Sequence, residues 1–145
     1  MARRKPVLLA TFLLGNLLLA LQTTGCGTSK EPVRTLLSIS IAPATADAQN
    51  FTDGQVQFTA TGTFSRPPSP APVTFVAPYS GQWFVDPAFA TLVGTATGTA
   101  TFQCVPGASG TTTVTASASV GPDGPIPGGG LSAAKVSGTA KLICP

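Results

Sequence analysis

The chain has 145 residues, of which only 9 % are charged, and a formal net charge of +3 with no histidine. Arg3, Arg4 and Lys5 account for that excess. The remainder balances Lys30, Arg34, Arg66, Lys135 and Lys141 against Glu31, Asp47, Asp53, Asp86 and Asp123. A neutral remainder without a basic stripe argues against nucleic acid as a partner, and the lack of histidine removes the commonest general base.

Met1 to Lys5 forms a basic n-region, and Val7 to Leu21 an apolar run of 15 residues interrupted by Asn16. A spanning helix needs about 20 apolar residues, so this segment reads as a secretory signal. Arg3-Arg4 lacks the rest of a twin-arginine motif, which favours the ordinary export route. Thr23-Thr24-Gly25-Cys26 resembles the lipobox of bacterial lipoproteins. Gly25 and Cys26 match that pattern; Thr23 departs from the aliphatic residue usual there. The resemblance implies that the Cys26 thiolate takes a diacylglyceryl group and that the freed amine is then acylated. Three acyl chains would hold the protein on a membrane, whereas one alone binds marginally. The competing reading is cleavage nearby, after Ala20, with Cys26 a bystander. Residues 1–25 are thus expected to be a lipoprotein signal peptide, and residues 26–35, polar and containing Pro32, a short tether.

From there the pattern is that of strands. Leu37, Ile39 and Ile41 alternate with Ser38 and Ser40 and stop at Pro43. Asp47 to Gly54 reads as a loop. Val56, Phe58 and Ala60 alternate with polar residues in a second strand. Four prolines between Pro67 and Pro72 rule out a central strand or a helix and predict a stiff surface connection. Val73 to Val76 could form a short edge strand. Gln82 to Val85 places Trp83 and Val85 on one face. Ala90 to Val93 and Thr99 to Val105 follow, the latter with Ala100, Phe102 and Cys104 on one face. Thr112, Val114, Ala116 and Ala118 share a face of the next strand. The glycine- and proline-rich stretch from Gly121 to Gly130, including Gly128-Gly129-Gly130, reads as a loop without the setting of a phosphate-binding turn. A last strand aligns Ala134, Val136, Ala140, Leu142 and Cys144. Short strands punctuated by Gly and Pro predict an all-β sandwich.

The pieces resemble, in order, the bacterial immunoglobulin-like domain family of the Big-2 type. The matches are Ile39 to Ala44 and Val56 to Gly62 as opening strands, then Trp83, Ala90-Thr91-Leu92 and Gly94 or Gly98. Gly110 to Ala116 and the closing Val136 to Leu142 complete them. The segment from Ser65 to Ser80 is longer than that family usually has. The resemblance implies an antiparallel immunoglobulin-like sandwich of about seven strands over residues 36–145, with Trp83 as its core aromatic. It also implies an adhesive or spacer role at the cell envelope, which is fold analogy.

Cys104 and Cys144 fall in register with the apolar residues of their strands. In an exported protein such a pair is expected to oxidise, and a 40-residue separation makes a bridge worth about 4 kcal/mol in the chain-entropy model. Two buried free thiols are the alternative. No cofactor or metal site is expected, since no histidine or close cysteine pair exists. Asp47, Asp53, Asp86 and Asp123 read as turn residues, and Asn50-Phe51-Thr52 as a chance glycosylation pattern. Phe75, Tyr79 and Phe89 flank loops and are the candidate contacts for a protein or carbohydrate ligand, or else fillers of the core's edge. The expectation is a non-catalytic envelope lipoprotein. The alternatives are an exported inhibitor or small enzyme using the loop from Ser65 to Ser80, or a subunit of an envelope assembly with an uncovered edge strand.

Overall fold

In the computed structural model, which describes residues 34–121 and 134–145, the alternating segments form nine strands. They are β1 Leu36–Ala42, β2 Thr45–Asp47, β3 Gln55–Phe64, β4 Ala71–Pro72, β5 Gly81–Phe84, β6 Ala90–Ala96, β7 Thr99–Cys104, β8 Gly110–Ser119 and β9 Lys135–Cys144. One sheet has the order β1-β3-β7-β6, with β4 beside β3 beyond the end of β7; the other has the order β2-β9-β8-β5. All pairings are antiparallel except that of β2 with β9. No α-helix occurs among the described residues.

The two-residue period sends one face of each strand inward. Val56, Phe58 and Ala60 of β3 and Ala100 and Phe102 of β7 meet Val114, Ala116 and Ala118 of β8 and Ala140 and Leu142 of β9, all buried. Phe58 and Phe102 pack edge to face with ring centroids 6.0 Å apart, and burying each such ring contributes about 2 kcal/mol. Lys135, Ser137, Thr139 and Lys141 occupy the outer face of β9.

The first strand departs from its alternation. A register shift between Leu36 and Ser38 turns Leu36 fully inward and leaves Leu37 55 % exposed. A bulge opposes two residues to one and so inverts the face of its neighbours. At the other end of the sequence, Ala134 precedes β9 and is exposed rather than buried. The stretch from Asp47 to Gly54 is two short turns, as a loop requires, but it is preceded by β2, which the sequence did not reveal.

Between Ala42 and Thr45 the chain leaves the first sheet and joins the second. Lys141 N–H donates to Ala44 O at 2.9 Å on the way. On this flank the sheets touch closely, because Gly138 of β9 lies against β1. A Cβ on Gly138 would sit 2.5 Å from the Ile39 carbonyl oxygen.

Candidate functional site

The opposite flank is open. β5 ends one sheet and β6 ends the other, so two strand edges that are unpaired among the described residues lie on the same side. The chain between β4 and β5 roofs the gap only in part. A cleft of about 540 Å3 remains, lined by Phe75, Val76, Gln82, Trp83, Leu92 and Thr95 among others. Every residue of β6 after Ala90 is exposed, with Leu92 at 45 % and Val76 at 63 %. Between Pro67 and Val105 the only charged residue is Asp86, so the cleft walls and both edges are neutral. Natural edge strands commonly carry a charge, a proline or a bulge against unwanted pairing. β6 has only the bulge, a register shift between Leu92 and Gly94.

Trp83 forms the inner wall of this cleft. Its ring packs between Phe75, at 5.4 Å, and Phe102, at 6.1 Å. It is partly buried against the core, and its Nε1–H is enclosed without an acceptor among the described residues. An enclosed donor without a partner costs about 1–3 kcal/mol. Trp83 therefore joins two roles that the sequence set against each other, core filler and surface aromatic.

The remaining aromatics divide. Phe75 and Phe89 are half-buried. Tyr79 is buried, as a filler of the core's edge and not a surface contact: its ring meets Phe64 edge-on at 5.2 Å, and its hydroxyl donates to Arg34 O at 2.8 Å. Arg34 in turn stacks its guanidinium 3.5 Å from the Phe64 ring centroid. It donates from Nε to Arg66 O at 3.1 Å and from a terminal nitrogen to Pro68 O. The long proline-rich connection is thereby folded back on the start of the domain. Ser69 Oγ also accepts from Phe64 N–H at 2.9 Å. Val73, expected on an edge strand, is fully buried just after the two residues of β4.

The far end of the sandwich carries the cysteines. Cys104 ends β7 and Cys144 ends β9; their sulfurs lie at bonding distance as a disulfide, with Cα atoms 5.8 Å apart. The bridge joins the two sheets. Cys144 is buried and Cys104 half-buried. Beside it a shallow hollow of about 360 Å3 is lined by Gln49, Phe51, Cys104, Pro106 and Pro145 among others. Asp47 accepts from Gln49 N–H at 3.0 Å and Asp86 from Ala88 N–H at 2.9 Å, the turn-capping use expected of them. Asp53 holds a left-handed turn position at φ 56°. No group of three potential metal ligands forms among the described residues. Cys26, Asp123 and Gly128 to Gly130 lie outside the described residues.

No family model, curated protein or solved structure matches this chain.

Proposed function

We propose that this chain is an exported, lipid-anchored protein of the bacterial cell envelope. Its single immunoglobulin-like domain binds a partner or spaces it from the membrane and catalyses no reaction. The strand order supports the immunoglobulin-like reading. β1-β3-β7-β6 corresponds to strands A, B, E and D of a constant-type domain, and β9-β8-β5 to G, F and C. Trp83 then stands on the strand that carries the core tryptophan of such domains. The bridge departs from that plan. It joins the E and G positions, while Phe58 and Val114 fill the core on the B and F strands.

The observation that carries the binding reading is the neutral, open flank. Two free edges and exposed Val76 and Leu92 border a cleft that an extended segment of a partner could line, adding a strand to β6. This also favours the envelope-assembly alternative over the inhibitor, because the proline-rich loop is pinned by Arg34 and its tyrosine is internal. Two experiments test the proposal. Intact mass of protein extracted from host membranes should begin at Cys26 and include three acyl chains; an unmodified mass beginning elsewhere would remove the anchor. A photo-crosslinking residue at position 92 in living cells should give adducts that the same residue at position 141 does not. Equal labelling at both would remove the open flank as the binding surface.

A further inference from the structure

The ends of the sandwich differ in charge. Three basic residues share one end. Arg34 donates to Arg66 O. Leu36 N–H, two residues on, donates to Val120 O, and Val120 N–H donates to Ala134 O, next to Lys135. Arg66 and Lys135 are exposed and Arg34 half-buried. No carboxylate stands at this end among the described residues; in the sequence, Lys30 and Glu31 offset one another before it and Asp123 follows Gly121 by two positions. Three carboxylates share the other end. Asp47 pairs with Ile143 near the end of β9, the Asp53 carbonyl accepts from Gln103 Nε2 near the end of β7, and Asp86 caps the turn before β6. Lys141, opposite Thr45 and Thr113, stands toward this second end and offsets part of its charge. Ten-residue strands such as β3 separate the two ends by roughly 30 Å. Among the described residues, charge is thus separated along the strands, with most cations at one end and the carboxylates at the other.

Arg34 stands at this end, so the tether that begins at Cys26 in the lipid-anchored reading joins the domain at its basic end. We propose that this end, through Arg34, Arg66 and Lys135, lies against an anionic phospholipid surface and holds the domain upright, with the disulfide end and its three carboxylates directed outward. The proposal rests on the lipid-anchor reading for its geometry, since the tether sets which end meets the bilayer first. Each exposed basic side chain near an anionic surface favours that arrangement about fivefold, so Arg66 and Lys135 together favour it about twenty-five-fold, with salt screening the effect. Arg34, held on Phe64 and two carbonyls, adds less. The neutral flank of β5 and β6 would then run along the bilayer normal, accessible from the side.

The protein as recovered from its host is bound to vesicles of phosphatidylcholine alone or with about a third phosphatidylglycerol, the anionic surface the argument requires. Amine acylation is then measured at Lys135 and at Lys141, the internal control. The Lys135-to-Lys141 labelling ratio should fall severalfold on the anionic vesicles, recover in 0.5 M salt, a value high enough to cut the Debye length to about 4 Å, and recover in part in Arg66→Ser. An unchanged ratio overturns the proposal, as does a fall that salt and Arg66→Ser leave intact. Retention on the neutral vesicles reports the acyl anchor separately, so failure of the anchor and failure of the basic end are distinguishable.

Discussion

The two flanks of the sandwich solve the same problem differently. On the flank of β1, β2 and β9, the chain itself passes from one sheet to the other and Gly138 lets the backbones nearly touch. On the flank of β5 and β6 the chain crosses only through the β4–β5 connection, which roofs the gap in part, and the turn between β5 and β6. The gap is filled from within by Trp83, Phe75 and Phe102, and the edges stay free. The closed flank spends its contacts on stability. The open flank retains an indole N–H enclosed without an acceptor among the described residues, and exposed aliphatic side chains, features that weaken a fold.

Substitutions can break this contrast or sharpen it. Phe102 lies in the shared core and touches both Phe58 and Trp83. Phe102→Ala should cost about 4 kcal/mol by denaturant unfolding, and a loss under about 1 kcal/mol would mean that the sheets are not packed through it. Removing the bridge is comparable: Cys104→Ala and Cys144→Ala should each cost about 4 kcal/mol and lower Tm by similar amounts. Clearly unequal losses would show that one thiol matters for packing rather than for the cross-link. Gly138→Ala, on the closed flank, should cost about 2 kcal/mol, because backbone must move to admit the methyl group. Its counterpart on the open flank, Gly94→Ala, adds a methyl group with nothing within 4 Å. It should stay within about 0.5 kcal/mol of the parent. If both glycines respond alike in thermal unfolding, the two flanks are equivalent and the contrast fails.

The sequence made the strands legible wherever alternation was long. The faces of Val56-Phe58-Ala60, of Thr112 to Ala118 and of Ala140-Leu142-Cys144 follow directly from period two, whereas the pairing of Cys104 with Cys144 needed the added expectation of an oxidising compartment. It failed where a single residue changes the count. The bulge at Leu36 exchanges one leucine for its neighbour, and β2 is too short, at three residues, to display a period. Tyr79 stayed divided between surface contact and edge filler because its loop position said nothing of Arg34, 45 residues earlier, whose carbonyl accepts from its hydroxyl. The cleft was invisible for a similar reason. Its walls come from strands whose adjacency depends on sheet order, though the run of uncharged residues from Pro67 to Val85 and again from Pro87 to Val105 was a signal available beforehand.

The bridge also bears on how the domain would carry load. β1 and β9 run in the same sense from the end where Arg34 lies to the end where Cys144 lies. Tension between those two residues therefore pulls along the strands, in shear, so that the hydrogen bonds of β1 to β3 and of β2 to β9 must yield together rather than one by one. The Cys104–Cys144 bond routes that tension past the β8–β9 hairpin. The 40-residue segment it closes could not be drawn out while the bond holds. Resistance to pulling is set by the rate of unfolding. A domain built this way would lengthen in two steps, with the second available only to the reduced protein.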